Sequence, residues 1–300
     1  MLPVLILLVV GLGIVEPSIL QPTNVVNVFS QSAVVAIAAI GATIVILTGG
    51  IDLSVGSTIS ASGVAAAAVM SATGNVALGM LAGVALGATV GFITGSLITR
   101  LDLVPFIVTL AGLFVVAGAT VLLSGGSTIS HLPTRFTGLS VTNVFGIPVL
   151  VLVAIALYVV AQLVLSLTTW GRQIMLFGAS RRTSRVTGIP VVRTEGSVYV
   201  VAGVFSGFAG VAMTANLFGA NASMGSGLLL NVVGAVVLGG TSLFGGRGSV
   251  ARTGIGVLLL GFLANGMNLI GLASYDQVSV TGFVILAAAS LDAWLHRSPG

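Results

Sequence analysis

Apolar residues run through this chain in long blocks, not in the alternation of a half-buried strand or the narrow stripe of a soluble amphipathic helix. Ten blocks can be marked out: Met1–Leu20, Asn27–Thr48, Leu53–Ala72, Val76–Thr99, Val104–Leu123, Ile147–Thr168, Gly196–Phe218, Leu228–Gly245, Val250–Leu272 and Val278–Leu295. Each is close to the about 20 residues that a helix needs to cross a hydrocarbon core. Backbone polar groups cannot stay unpaired in lipid, so the blocks predict helices. The expected fold is an all-α polytopic membrane protein of about ten transmembrane helices, with residues 1–300 forming a single transmembrane domain. Leu228–Gly245 reads either as a re-entrant segment or as a full crossing. A full crossing is expected, because a re-entrant segment would strand Arg297 on the side opposite the other arginines. Leu2–Val15 has no basic flank and no small-residue cleavage site, so it reads as a first span and not as a signal peptide.

Composition agrees with a chain that faces lipid. Hydrophobic residues make up 56% and charged residues 5%, and the mean hydropathy is +1.21, where soluble domains carry about 25% charged residues. All ten basic residues are arginine. Arg172, Arg181, Arg182, Arg185 and Arg193 share one join, Trp170–Arg193; with ten spans, Arg100, Arg247, Arg252 and Arg297 fall on the same side and only Arg135 on the other. The positive-inside rule makes the richer side cytoplasmic, with both termini there. A net charge of +4 then reflects this bias and is no sign of nucleic-acid binding. Within the join, Ser180–Val186 suits a short helix, with Gly188 and Pro190 as stop signals. Its arginines serve either to contact a partner or to fix topology and meet anionic lipid.

The chemistry available is narrow. Without cysteine there is no disulfide or thiolate metal site, and without lysine there is no GxxxxGK[ST] phosphate loop. Glu16, Asp52, Asp102, Glu195, Asp276 and Asp292 map near span ends, His131 and His296 are far apart, and no serine has a partnered base. No enzyme, metal site or cofactor on this chain is expected. Asp52 precedes an apolar run and reads either as N-cap of the third span or as a transport residue. Asn265 and Asn268, three apart on one helix, and Asn231 either hydrogen-bond between helices or line a polar path. Gly79, Gly83, Gly87, Gly91 and Gly95 recur every four residues and predict a bare stripe for helix packing, with a pore-lining role as the alternative; Gly256, Gly261, Gly266 and Gly271 recur every five and predict looser contacts. Val45–Leu53 and Val236–Leu243 form a faint internal echo, each leading to a glycine, Gly56 and Gly246. An ion-coupled secondary transporter of a small polar solute would fit this outline, although no acid sits mid-span.

Three segments carry a resemblance. Leu47–Ser57, with Gly49, Gly50, Asp52, Ser54 and Gly56, resembles the Gly-Ile-Asp-Leu-Ser-Val-Gly signature of ribose-type sugar permeases of ABC importers. Ala235–Gly246, with Gly239, Gly240, Gly245 and Gly246, is similar to that family's second hallmark, and Gly261–Leu269 to a third. The resemblance implies a permease of the bacterial cytoplasmic membrane. It would pair with a second permease copy around a central pathway, take two ABC ATPase subunits beneath and an extracytoplasmic sugar-binding protein outside, and pass a ribose-like monosaccharide. It also implies that Phe177–Val191, matching at Gly178, Arg185, Gly188 and Ile189, is the coupling segment seated in the ATPase. Two departures stand out. Gly225-Ser226-Gly227 is followed by Leu228-Leu229-Leu230-Asn231 and not by an acid-rich run, and Arg181 stands where relatives often carry Glu.

Overall fold

The computed structural model describes residues 1–295; His296 and Arg297 lie outside the described residues, as does the side chain of Asp292. In chain order the helices are α1 (Leu2–Val15), a 3-10 turn (Pro17–Leu20), α2 (Pro22–Leu47), α3 (Val55–Thr73), α4 (Val76–Arg100), α5 (Pro105–Ser124) and α6 (Thr134–Val141). A small hairpin of β1 (Asn143–Val144) and β2 (Ile147–Pro148) comes next. The chain continues with α7 (Val149–Leu167), α8 (Thr169–Ala179), α9 (Arg181–Val186), α10 (Val191–Asn216), α11 (Leu228–Leu238), α12 (Val250–Leu269) and α13 (Ser274–Leu295).

Among the described residues, seven helices are long and apolar enough to cross a membrane: α2, α3, α4, α5, α7, α10 and α12. The expected count of about ten transmembrane helices is thus not confirmed. The first block breaks at Glu16, whose extended backbone and side-chain bond from the Ser18 N–H start a separate turn at Pro17. The eighth block is not a helical crossing. α11 has 11 residues, a rise of about 16 Å against a core of about 30 Å. The remaining depth is covered by irregular chain. Ala220 pairs with Ile129 beyond the end of α5, and Gly246 bonds the Leu47 carbonyl at the opposite end of the bundle. Between them the buried Gly225 donates its N–H to Ser60 Oγ at 2.8 Å. Protein polar groups thus replace the helical bonds that this stretch gives up.

The arginine-rich join is also not a loop. It folds into α8 and α9, and its last residues already belong to α10, which begins at Val191 instead of Gly196. Pro190, expected as a stop signal, is the N-cap of α10, where its missing N–H costs nothing. Helix directions gather Arg100, Arg172, Arg181, Arg182, Arg185, Arg193, Arg247 and Arg252 at one end of the bundle and Arg135 at the other.

The four-residue glycine ladder on α4 is wholly buried. Its pitch explains its partners, since four residues overshoot a turn by about 40°. The stripe therefore drifts, facing α3 first and α10 later. A Cβ on Gly83 would lie 2.7 Å from the Ser62 carbonyl of α3 and 2.9 Å from Val211 of α10. On Gly95 it would meet the Gly196 carbonyl at 2.6 Å, and on Gly87 it would overlap the Gly203 carbonyl, with Gly207 Cα 3.0 Å away. α10 answers with its own Gly196, Gly203 and Gly207, so backbone lies on backbone. The five-residue series on α12 turns by about 140° per step. Gly256 faces α11, Gly261 faces Ser32 of α2 and Gly266 faces Leu12 of α1. Gly256 approaches the α11 backbone closely, so that contact is tight, where loose packing was expected.

Gly87→Leu is expected to cost about 3 kcal/mol or more, the upper range for overpacking, because the obstacle is backbone and cannot rotate away. Gly118→Leu on α5, where a Cβ meets nothing within 4 Å, serves as control. Yield, monodispersity and thermal unfolding in detergent should fall for the first variant and stay unchanged for the second.

Candidate functional site

The internal echo has a structural cause. α2 and α11 end in the same Schellman turn, in which two N–H groups fold back on the last carbonyls around a left-handed glycine. At α2, Gly49 N–H bonds Ile46 O at 2.9 Å and Gly50 N–H bonds Val45 O at 3.3 Å; at α11, Gly240 N–H bonds Val237 O at 2.8 Å and Thr241 N–H bonds Val236 O at 3.2 Å. Gly49 and Gly240 both have φ of 77°. The two turns differ in the path the chain takes beyond them. After Gly50 the chain re-enters the bundle as α3, and Asp52 accepts from the Ser54 N–H at 2.9 Å and from Ser54 Oγ at 2.6 Å. Asp52 therefore builds the turn ahead of α3, whose N-cap is Ser54 and not Asp52 as expected. Burial pushes the Asp52 carboxyl above its usual range, and the two Ser54 bonds pull it back.

The two turns meet each other and the end of α8. Gly246 N–H donates to the Leu47 carbonyl at 2.9 Å, satisfying an oxygen that the end of α2 leaves free. A Cβ on Gly178, near the end of α8, would overlap that same Leu47 oxygen. One on Gly246 would lie 2.8 Å from Ala179 Cα, and one on Gly245 would lie 2.8 Å from Gly49 N and 3.0 Å from the Gly178 carbonyl. Gly245 and Gly246 have φ of 83° and 74°, a conformation that side chains resist. Gly49, Gly178, Gly245 and Gly246 thus form one junction of touching backbones. A Cβ on Gly239 would lie 2.7 Å from Thr253 Cα of α12, and one on Gly56 would lie 2.7 Å from the Gly225 carbonyl.

From this junction α9 projects. Ser180 caps it, its Oγ accepting from Thr183 N–H at 3.1 Å. Gly188, with φ of 78°, closes it in a third Schellman turn, with Gly188 N–H to Arg185 O at 3.4 Å and Ile189 N–H to Ser184 O at 3.1 Å. Arg182 and Arg185 are exposed. Arg181 is exposed as well, but its guanidinium reaches back to the bundle. It bonds Glu195 of α10 at 2.9 Å, reaches Asp102 at 3.6 Å, and stacks 5.7 Å from the Phe177 ring centre. Its positive charge is therefore answered by two acids. α8 is tied to α10 as well, through Trp170 Nε1 to Ser197 Oγ at 2.8 Å.

The three asparagines separate. Asn265 exchanges two hydrogen bonds with Asn24 of α2, at 2.8 and 3.0 Å, and so joins helices. Asn268, one turn on, is exposed. Asn231 opens into a notch of about 260 Å³ with Gln31, Ser32 and Thr281, between α2, α11, α12 and α13. Gln31 and Asn24 escaped the reading of the sequence. Their signal is the row Asn24, Asn27 and Gln31, polar at helical spacing inside an apolar block.

The chain matches the family model described as branched-chain amino acid transport system, permease component, over residues 24–289. It belongs to that permease family. The ribose import permease protein RbsC of Bacillus subtilis is similar to it, 39% identical over 291 residues that cover 96% of this chain and 90% of the relative. RbsC of Escherichia coli K12 is 36% identical over 292 residues, covering 96% and 91%. The D-allose transport system permease protein AlsC of the same strain is 32% identical over 296 residues, covering 98% and 91%. No solved structure matches the chain.

In the permease, Asn265→Leu is expected to cost about 1 kcal/mol, typical of interhelical polar pairs in membranes. Asn24→Leu added to it should cost only the further bond from Asn24 to the Ile19 carbonyl, because the pair itself is already broken. Asn268→Leu should leave stability unchanged. Thermal unfolding in detergent of the wild type, both single variants of the pair, the double variant and Asn268→Leu checks the cycle.

Proposed function

We propose that this permease is the membrane subunit of an ATP-driven importer for a ribose-like monosaccharide, paired with a second permease and driven by two separate ABC ATPase subunits, with an extracytoplasmic binding protein delivering the sugar. The observation that carries this reading is the junction at Gly178. A short helix on the arginine-rich end abuts, backbone to backbone, the turns that end α2 and α11. In this reading α8, which leads into α9, receives the movement of an ATPase and passes it to those spans. The choice of sugar rests on the relatives, which are named for ribose and D-allose. In this reading the arginine-rich end, with Gly178, Arg181, Arg182, Arg185, Gly188 and Ile189, is cytoplasmic, and the hairpin at Phe145 lies outside.

The notch supports a polar path. Gln31 and Asn231 are exposed although they belong to apolar segments of α2 and α11. Amides facing lipid would be costly, so this surface faces water or the second permease. Neutral amides there suit hydroxyl groups, which both donate and accept hydrogen bonds.

Reconstituted with its ATPase and binding protein, the permease should support ATP-dependent ribose uptake; uptake of D-allose in preference to ribose would reassign the sugar, and no uptake of either would reject the reading. Arg182→Ala with Arg185→Ala should cut sugar-stimulated hydrolysis while insertion stays normal, and undiminished stimulation would return the pair to a topological role. Since the chain has no cysteine, Phe145→Cys and Thr183→Cys, both at exposed positions, report sidedness cleanly. An impermeant thiol reagent in intact cells should label the first and miss the second.

A further inference from the structure

We propose that Arg181 is a positioning residue for energy coupling, one that locks α9 onto α10 through Glu195 so that the two move as one body. This rests on the importer reading, and it assigns Arg181 a role inside the permease in place of contact with the ATPase.

α9 has six residues and joins α8 across Ser180, whose backbone is extended. A helix so short has little to hold its angle by itself. On its inward side Arg181 Nη2 donates to Glu195 Oε2 at 2.9 Å. The Glu195 side chain is 6% exposed, whereas that of Arg181 is 43% exposed. The second pair, to Asp102, is longer at 3.6 Å and ends on a carboxylate 83% exposed, so water screens most of it. Glu195 therefore dominates. Among the described residues, Arg181 supplies the hydrogen bond to this carboxylate. Lifting α9 away would leave a buried charge without its partner, a state far more costly than the loss of a surface pair.

The consequence is mechanical. Glu195 sits at the foot of α10, one residue from Gly196, where the backbone contact with Gly95 of α4 begins. Trp170 and Gln173 of α8 reach Ser197 and Thr194 on either side of it. A push on the exposed Arg182 and Arg185 face would then reach α10, and through the glycine contacts α4, instead of bending α9 at Ser180. Arg181→Lys keeps the charge but not the planar fork, and it should hold α9 less firmly.

The test uses the full complex of permease, ATPase and binding protein in lipid, with two readouts. Amide hydrogen exchange across residues 181–186 reports the clamp itself; stimulated ATP hydrolysis and sugar transported per ATP report coupling. Arg181→Ala should raise exchange in α9 and cut stimulated hydrolysis at least about tenfold, with insertion and basal hydrolysis retained. Arg181→Glu should do worse, because it faces Glu195 with a like charge. Combining Arg181→Glu with Glu195→Arg should restore both readouts to within about threefold of wild type. If Arg181→Ala does not assemble, Arg181→Lys and the charge exchange carry the test. Unchanged exchange would overturn the clamp; faster exchange with wild-type coupling, or a charge exchange as uncoupled as the single variants, would overturn its role. A wild-type complex with no stimulated hydrolysis would instead reject the importer reading, whatever the exchange data show.

Discussion

Where α4 crosses α10, two peptide backbones lie so close that a single added methyl group would overlap a carbonyl. In lipid there is little hydrophobic gain from bringing two apolar helices together, because the tails are as apolar as the side chains. Close approach must supply the attraction, and glycine permits it. The same device recurs at the junction, where Gly178, Gly245 and Gly246 bring the end of α8 and the 239–249 turn against the last carbonyl of α2. The spans and the arginine-rich segment are thus built from one kind of contact. Backbone contacts of this sort do not yield gradually, so a displacement at one end is passed on rather than absorbed.

The second theme is how polar groups are handled. Asn24 and Asn265 satisfy each other, and Thr43 bonds Thr253 at 2.8 Å in the buried core between the same two helices. These pairs join α2 to α12. Gln31 and Asn231 meet open space instead. The contrast between paired and open amides within one bundle separates the polar residues that join helices from those that line the notch. Spacing along the chain could not draw that line, because both kinds sit at helical intervals.

The irregular crossing between Ala220 and Gly246 obeys a related rule. A half-length helix is tolerable at membrane depth only where surrounding protein bonds the chain that continues it. Ser60 does so for Gly225, and Gly225 in turn packs on Gly56. The first signature segment is therefore in contact at both ends, with the crossing at Gly56 and with the glycine junction at Gly49.

Much of this was legible in the sequence, for a physical reason. Apolar length, the ban on unpaired backbone in lipid and the arginine asymmetry are one-dimensional constraints, and they determined an all-helical membrane chain with one basic end. Helix stop signals are local as well, so α9 and its Gly188 close were readable. The signature motifs named the family before any fold was in hand. What only the tertiary structure decided depends on partners far away in the chain. Leu228–Gly245 could not be seen to stop at Leu238, because the irregular chain that flanks α11 is held by distant partners, Gly225 before it by Ser60 of α3 and Gly246 after it by Leu47 of α2. Asp52 could not be seen to serve the turn, with Ser54 at the N-cap position and its hydroxyl given to Asp52. Asn265 could not be told from Asn268 until Asn24 was placed 241 positions away in sequence and 2.8 Å away in space. Arg181, one of several arginines by composition, became the one that reaches back to the bundle only when the fold set Glu195 beside it.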